Sequence, residues 1–315
     1  MSASSRIAFL GTGLMGAPMA ANLAAAGFRV TAWNRTAEKS EKLQEHGVAV
    51  SLDARTACAD CEMAVVMLSS GPVCREVLFG DEGVAAAMPR GALLVVMSSI
   101  SVAEAGELAA RAAELGLRWL DAPVSGGEAG AKAATLSIMV GGNRKEVEAA
   151  RPVFEALGRP VHIGPVGTGQ LAKLVNQLTV ASTLVAVSEA LLMAEAGGAN
   201  PAKVREALLG GFARSHILEM HGQRMIDGDF TPGGPAKYQI KDTAAAQALA
   251  RDLGLQLPML DLAHDLFSAL VDGGGGELDH SALILELRRR NGRLSDGERN
   301  GIFERVHQGR KDDET

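Results

Sequence analysis

The chain is poor in aromatic residues and cysteines, and it has no basic cluster before its C-terminal end. Aromatic residues make up 3% and hydrophobic residues 47% of its 315 positions, so a core must be built mainly from Ala, Leu, Val, Met and Gly. This length suits two domains. With a net charge of -6 and scattered Lys and Arg, the chain is unsuited to nucleic-acid binding, which depends on clustered basic side chains.

Signals for a membrane, for export and for a metal are also lacking. We expect no apolar stretch to reach membrane-spanning length, and residues 1–6 lead into a strand without a cleavable signal, so we expect a cytoplasmic protein. Cys58 and Cys61 have redox or metal spacing, but the third cysteine, Cys74, makes no second pair and the seven histidines are scattered. We therefore expect reduced thiols and no metal site.

The N-terminal segment predicts a strand, a glycine turn and a helix. The strand Ile7 to Leu10 is followed by the spacing G-x-G-x-x-G and by a helical run from Ala17 to Ala26. Such a turn lets the backbone approach a pyrophosphate, and the helix N-terminus offers N–H groups to the anion. The alternative is a purely structural turn. The predicted cofactor contacts are Gly11, Gly13, Leu14, Met15 and Gly16.

The end of the second strand, Phe28 to Trp33, predicts the type of cofactor. It is followed by Asn34, Arg35 and Thr36, where an acidic residue would bind the ribose hydroxyl of NAD. Arg35 can instead pair with a 2′-phosphate. We expect these three residues to contact the cofactor and NADP to be preferred, with NAD as the alternative; Arg35 could also be an ordinary surface charge.

Later strand ends supply further candidates. Strands over 63–68 and 93–97 end near Leu68, Ser69 and Ser99, which we expect to contact the nicotinamide half of the cofactor. A further strand leads to Ser125, Gly126 and Gly127, a turn rich in N–H donors that suits a carboxylate.

The block from Gly164 to Gln177 places polar side chains in an otherwise apolar helix. Its glycines allow a sharp turn, and Lys173, Asn176 and Gln177 follow at helical spacing i, i+3 and i+4. A lysine in such surroundings needs a polar partner or must reach water. We take it as an active-site lysine, with a solvated surface lysine as the alternative.

The second half of the chain predicts an all-α domain. Small and apolar residues continue from Leu171 to Ala196, which indicates one long helix, and Gly and Pro breaks separate the helices that follow. The predicted fold class is α/β: an N-terminal Rossmann-type doubly wound sheet plus a C-terminal all-α domain, joined by the long helix. We expect domains at 1–166 and 167–290, and a disordered tail at 291–315. An apolar long helix also favours a homodimer or homotetramer.

Four motifs in this order resemble those of the β-hydroxyacid dehydrogenases, over about residues 6–290. They are Gly11 to Gly16, Asp121 to Gly127, Gly164 to Asn176, and Lys241-Asp242. The family includes 3-hydroxyisobutyrate dehydrogenase and tartronate semialdehyde (2-hydroxy-3-oxopropionate) reductase. Residues 208–211, 221–225 and 275–283 look more like its reductase and threonate branches.

The resemblance implies roles for individual residues. Lys173 would be the catalytic lysine, and Ser125, Gly126 and Gly127 would hold the substrate. Lys241 would reach the cofactor or the substrate. Many members have two consecutive asparagines where this chain has Asn176 and Gln177, so either carboxamide could be the substrate contact.

The expected function is an NAD(P)-dependent oxidoreductase that interconverts a short 3-hydroxy acid and its semialdehyde. Hydride would come from the nicotinamide, and Lys173 would act as general acid and base. We expect burial to lower the pKa of Lys173 toward neutrality. The alternatives are a non-catalytic dinucleotide-binding or interaction protein of the same fold, and an imine reductase.

Overall fold

The structure is a computed structural model that describes residues 5–295, 297–298 and 301–304. The chain divides into two units, Met1–Lys173 and Leu174–Thr315. The division lies inside a continuous helix, at Lys173 instead of at residue 166. Each unit has its own hydrophobic core.

A nine-stranded sheet forms the centre of unit 1. Its strands are β1 (Arg6–Leu10), β2 (Arg29–Trp33), β3 (Ala49–Val50), β4 (Met63–Val66), β5 (Leu93–Val96), β6 (Arg118–Asp121), β7 (Val124–Ser125), β8 (Leu136–Gly142) and β9 (Gly158–Gly164). Strands β4 and β5 are buried along their whole length, because parallel strands covered on both faces need continuous apolar sequence.

The strand order is β3-β2-β1-β4-β5-β6-β8-β7, with β9 paired to β8. Pairing from β3 through β6 is parallel, and the order reverses between β1 and β4. In such sheets ligands bind outside the carboxyl ends of the strands at this reversal, which is where the glycine turn after β1 lies. Strand β8 is antiparallel to β6 and β7, so the far edge of the sheet is mixed.

Short helices pack beside the sheet of unit 1. They are α1 (Gly16–Ala25), α2 (Glu38–Glu41), α3 (Ala54–Cys58), α4 (Gly71–Phe79), α5 (Val102–Glu114), α6 (Gly127–Lys132) and α7 (Arg144–Glu155). The side chains of Cys58, Cys61 and Cys74 are buried in this unit, and no disulfide joins any of these cysteines.

Unit 2 is helical, as predicted. Helix α8 (Thr168–Ala196) begins in unit 1 and continues into unit 2, where it is followed by α9 (Pro201–Leu209), α10 (His216–Asp227), α11 (Ala236–Asp252), α12 (Pro258–Leu270) and α13 (Leu283–Arg290). Short helical turns at Val271–Gly275 and His280–Ala282 precede α13. The fold class predicted from the sequence is confirmed.

Helix α8 corrects the expectation about membrane-spanning length. With 29 residues and a mean hydropathy of 1.5 in its most apolar window, it is long and apolar enough to cross a membrane by length and composition. One side of the helix, including Ala181, Leu184, Val185 and Leu191, is part of the core of unit 2. Packing in a core is the other use of an apolar helix.

The predicted tail at 291–315 is corrected in one segment. Residues 301–304 are helical, and Phe303 is buried in the core of unit 2 beside Gly274. A disordered segment would not bury an aromatic ring, so the prediction is wrong for these residues. Residues 296, 299–300 and 305–315 lie outside the described part of the chain.

Candidate active site

The glycine turn after β1 has the backbone geometry that the sequence predicts. Gly11 has φ +100°, and a Cβ atom there would lie 2.3 Å from the Met67 carbonyl oxygen. A Cβ atom at Gly16 would lie 1.9 Å from the Gly11 carbonyl oxygen. Both positions therefore require glycine. Gly11 has a positive φ and no room for a side chain, and Gly16 has no room for a side chain because α1 packs closely against the turn.

The same turn leaves room for an anion. No atom outside the turn lies within 4 Å of the position a Cβ would take at Gly13, and no side chain caps the start of α1 at Met15. Leu14 is exposed, and the buried hydroxyl of Thr12 has no hydrogen-bond partner. Unpaired donors at a helix N-terminus fit a pyrophosphate, so these residues fit a dinucleotide.

Asn34 makes hydrogen bonds within the protein, and its contact to the cofactor stays a prediction. Its Oδ1 accepts a hydrogen bond from the Thr12 N–H at 3.0 Å, and its Nδ2 donates to the Thr36 carbonyl at 2.9 Å. The side chain thus holds the glycine turn to the end of β2. Arg35 and Thr36 are exposed beside it.

The ends of β4 and β5 are tied together by a residue missing from the predicted set. The buried Ser98 hydroxyl accepts a hydrogen bond from the Leu68 N–H at 2.7 Å. Leu68 and Ser99 are half-buried and Ser69 is exposed. Ser98 directly precedes Ser99, which the sequence predicts as a cofactor contact. Ser98 is buried, and its hydroxyl joins the ends of two strands; the sequence does not reveal this burial.

The turn at Ser125, Gly126 and Gly127 is open to solvent. Gly126 has φ +138° and Gly127 has φ +62°, and open space surrounds the Cβ position of Gly127. Ser125 is half-buried and both glycines are exposed. Successive N–H groups in such a turn converge on a point where a carboxylate can bind.

A buried carboxylate anchors the first turn of α8. Asp121, at the end of β6, accepts hydrogen bonds from the Gly167 N–H at 2.7 Å and the Gln170 N–H at 3.0 Å. Burial raises the pKa of Asp121, against the opposing effect of these hydrogen bonds. A Cβ atom at Gly169 would lie 2.5 Å from the Asp121 carbonyl oxygen, so glycine is needed for this close approach.

Gln170 makes a second attachment from the same helical turn. Its Oε1 accepts from the Ile100 N–H at 3.1 Å, and its Nε2 donates to the Ser98 carbonyl at 2.8 Å. The start of α8 is therefore fixed to the ends of both β5 and β6. Lys173 follows Gln170 by three residues, so its backbone position is fixed by these contacts.

Lys173 is half-buried, not fully enclosed. Because α8 is continuous from Thr168 to Ala196, the helical spacing assumed for Lys173, Asn176 and Gln177 holds. The lowered pKa expected for Lys173 stays a prediction.

The two carboxamides that follow have different surroundings. Gln177 accepts from the Asn176 Nδ2 at 2.8 Å and donates through its own Nε2 to Asp242 at 2.5 Å. Asp242 lies on α11 next to Lys241, which is exposed. The amide of Gln177 is thus committed to a contact within unit 2.

Comparisons with known proteins cover most of the chain. A family model described as the NAD binding domain of 6-phosphogluconate dehydrogenase matches residues 6–167. A second, described as NAD-binding of NADP-dependent 3-hydroxyisobutyrate dehydrogenase, matches residues 167–287. The chain is 44% identical to the 2-hydroxy-3-oxopropionate reductase of Escherichia coli (strain K12), over 90% of this chain and 97% of that protein. The chain belongs to the β-hydroxyacid dehydrogenase family.

Other relatives of this β-hydroxyacid dehydrogenase extend the comparison. A solved structure of Mycobacterium tuberculosis 3-hydroxyisobutyrate dehydrogenase with L-serine has a TM-score of 0.84 and 34% identity, covering 90% of this chain and 99% of that chain. An NAD-dependent L-serine dehydrogenase of Pseudomonas aeruginosa is 34% identical, over 88% of this chain and 96% of that protein. This β-hydroxyacid dehydrogenase is an NAD(P)-dependent oxidoreductase of small hydroxy acids and their semialdehydes.

Proposed function

We propose that the enzyme reduces tartronate semialdehyde, or a semialdehyde of similar size, to the hydroxy acid, with Lys173 as the proton donor. The observation that carries the proposal is the attachment of the first turn of α8 to Asp121 through two backbone N–H groups. It fixes the backbone of a lysine within one helical turn of the sheet edge where nicotinamide dinucleotides bind. The identity of 44% to a reductase of 2-hydroxy-3-oxopropionate supports the choice of substrate.

Lys173 contributes charge and a proton to the reaction. When bound, the nicotinamide cofactor supplies hydride. A lysine ammonium next to the carbonyl oxygen polarises it, stabilises the charge that develops there and then donates the proton. In the oxidative direction the neutral amine takes the hydroxyl proton.

Ser125, Gly126 and Gly127 are proposed to bind the substrate carboxylate through their N–H groups and the serine hydroxyl. Their exposure and the positive φ angles of both glycines support this role. Asn176 is the proposed carboxamide contact, because Gln177 uses its Oε1 for Asn176 and its Nε2 for Asp242, whereas Asn176 uses its Nδ2 for Gln177 and, within the described part of the chain, has its Oδ1 left for a substrate. Lys241 is carried over from the resemblance as a contact to the cofactor.

NADP is the proposed cofactor, bound by the glycine turn from Gly11 to Gly16, with Leu68, Ser69 and Ser99 near the nicotinamide half. Arg35 is exposed where a 2′-phosphate would lie, and it is accompanied by no acidic neighbour in the sequence Asn34-Arg35-Thr36. We place the enzyme in the cytoplasm, as a homodimer or homotetramer. Exposed apolar side chains on α8, Val175 and Met193, support assembly with further copies.

The test of this function is the Lys173→Ala variant. Reduction of tartronate semialdehyde by NADPH should slow by roughly three orders of magnitude or more, because charge stabilisation and proton donation are lost together. Binding of NADPH, followed by its fluorescence, should stay near the wild-type value.

The matched control is Lys203→Ala, which removes an exposed lysine paired with Glu206 on α9. It should leave turnover unchanged. Normal turnover in Lys173→Ala would contradict the role of the lysine, whereas a wild-type protein that binds NADPH without turnover would favour a binding protein of the same fold.

A further inference from the structure

Unit 2 contains a buried polar cluster that the proposed reaction does not use. Its members are His221 and Arg224 on α10, Gln239 on α11, and Asp279 and His280 at the start of the turn His280–Ala282. Asp279 is fully buried and Gln239 is 4% exposed. Because buried polar groups need defined partners, each contact in the cluster constrains the next.

Asp279 uses its oxygen atoms for hydrogen bonds. Oδ1 accepts from the Ser281 N–H at 3.0 Å and its hydroxyl at 2.7 Å, and Oδ2 accepts from the N–H groups of Gly233 at 3.0 Å and Gly234 at 3.1 Å. Arg224 Nη1 lies 3.1 Å from Oδ2. His221, Asp279 and His280 lie close enough together to hold a metal ion. However, both oxygen atoms of Asp279 already accept hydrogen bonds, and a metal ion there would be repelled by the nearby guanidinium of Arg224.

Four side chains of the cluster form a row in the order Gln239, His280, His221 and Asp279, and hydrogen atoms are donated along it toward Asp279. Asp279 can only accept, and its Oδ1 lies 3.4 Å from His221 Nδ1, a buried atom that makes no hydrogen bond among the described residues. The nearby carboxylate favours a hydrogen on this nitrogen. His221 Nε2 then accepts from His280 Nε2 at 3.2 Å. His280 Nδ1 in turn accepts from the amide of Gln239 at 2.9 Å. This assignment keeps both rings neutral, each in a single tautomer.

The charged surroundings agree with that assignment. Burial lowers the pKa of His280 to about 4; the Asp279 carboxylate opposes this effect and the Arg224 guanidinium adds to it. Burial alone would raise the pKa of Asp279, but the His221 ring that faces it and the hydrogen bonds from Ser281 hold this pKa far below its usual value.

Other titratable groups surround the row without joining it. Asp229 lies 3.4 Å from Arg224, and Lys237 pairs with Glu277 at 2.5 Å. His264 on α12 contacts the Thr243 hydroxyl at 2.8 Å, one helical turn after Gln239.

The row ends on the helix that carries Lys241. Main-chain bonds join the start of α11 to the same segment: Ala236 N–H donates to the Leu278 carbonyl at 2.8 Å and Lys237 N–H to the Gly276 carbonyl at 3.1 Å. Gln239 precedes Lys241 by two residues, and Asp242 accepts from Gln177. The first turns of α11 are therefore held from both sides.

We infer that Gln239, His280 and His221 are positioning residues, which hold α11 so that Lys241 is presented in one orientation to its ligand. The inference rests on the cofactor-binding role given to Lys241 under the proposed function. The residues act through the helix and not on the reacting atoms. Loss of the row should therefore weaken binding, while the proton transfer by Lys173 remains.

The first test is Gln239→Leu, which removes the last hydrogen bond of the row without adding charge. KM and the dissociation constant for NADPH should rise roughly 5- to 10-fold, the value of about one hydrogen bond, while kcat changes less than twofold. His216→Asn, an exposed histidine on α10, is the matched control and should leave both constants unchanged.

The second test is Gln239→Glu, which replaces the hydrogen-bond donor facing His280 Nδ1 by an acceptor. It tests the protonation of the His280 ring directly. A carboxylate can only accept, so His280 must carry hydrogen on both nitrogens, and its pKa should rise by about two units or more. Ring nitrogen NMR shifts at pH 5 should show an unprotonated His280 Nδ1 in the wild type and a charged ring in the variant, because pH 5 lies between the two pKa values.

Two results would overturn the inference: a wild-type His280 with a proton on Nδ1 at neutral pH, or a folded Gln239→Leu protein with wild-type affinity for NADPH. Wild-type protein that turns over no semialdehyde would contradict the proposed function alone. The NMR shifts and the NADPH affinity would still decide the role of the row.

Discussion

The two units use polar groups in different ways. In unit 1 the candidate ligand contacts are mostly backbone N–H groups in glycine turns, such as Gly11 to Gly16 and Ser125 to Gly127, which follow strands of one sheet. In unit 2 the buried polar contacts are made by side chains from α10, α11 and the segment around Asp279. Unit 1 has exposed backbone N–H groups in its glycine turns, whereas unit 2 has a row of buried side chains that contact one another.

This difference suggests where mutations act. A change in a turn of unit 1 should alter a ligand contact or the anchor of a reacting group. A change in the polar row of unit 2 should act through the stability and orientation of a helix.

Asp121→Ala should give the largest loss of stability. It leaves the Gly167 and Gln170 N–H groups buried without a partner, and each such group costs about 1–3 kcal/mol. The free energy of unfolding should fall by roughly 2–5 kcal/mol, and turnover should fall at least tenfold because the start of α8 is released.

The control for Asp121 is Asp60→Ala, whose exposed carboxylate pairs with Arg6. Denaturant unfolding should show a change of less than about 0.5 kcal/mol for this control. An Asp121→Ala protein as stable as the control would contradict the anchoring role.

Acid should weaken unit 2 in a defined pH range. As pH falls, the unfolded chain takes up a proton on His280 near pH 6.5, whereas the folded chain does so only near pH 4. The stabilisation is therefore complete above about pH 6.5 and is lost as pH falls toward 4, a change of about 3 kcal/mol. Asp279, with its lowered pKa, adds a further loss at lower pH.

Hydrogen exchange of α10 and α11 amides between pH 4 and 8 measures this loss. After correction for the intrinsic exchange rate, the opening free energy should fall with acid in the wild type and in His216→Asn. It should be nearly independent of pH between 4 and 6.5 in His280→Asn. The same slope in His280→Asn and the wild type would show that another group controls the acid response.

Arg35→Ser should change the cofactor preference of unit 1. Loss of a charge-assisted contact to the 2′-phosphate should lower kcat/KM for NADPH by about 10- to 100-fold and leave the value for NADH nearly unchanged. Lys39→Ala is the neighbouring control. An equal decrease with both cofactors would show that Arg35 does not read the phosphate.

The sequence predicts those structural elements whose residue pattern lies within a few neighbouring positions. The turn at Gly11, the long helix through Lys173 and the helices of unit 2 follow from glycine spacing and apolar periodicity. Strands β8 and β9 have no counterpart among the predicted strands, because glycine and polar residues interrupt their apolar pattern. Side-chain pairings over long sequence distance were also missed. Asn34 bonds to Thr12, Gln170 to Ser98, and His280 to His221, and no local pattern indicates these pairs.

Asp279 illustrates the limit of local patterns. Its side chain caps the turn His280–Ala282 by accepting a hydrogen bond from the Ser281 N–H. Its contacts to Gly233, Gly234 and Arg224 depend on how unit 2 folds. A polar residue next to a histidine in the sequence does not reveal such partners.

The most direct test of the proposed function is an initial-rate panel of short semialdehydes and hydroxy acids with NADPH and NADH, followed by nicotinamide absorbance. We expect rapid reduction of tartronate semialdehyde with NADPH, slower reduction with NADH, and weaker activity on larger acids such as 3-hydroxyisobutyrate. Absence of turnover with every substrate and both cofactors, from protein that binds NADPH, would contradict it.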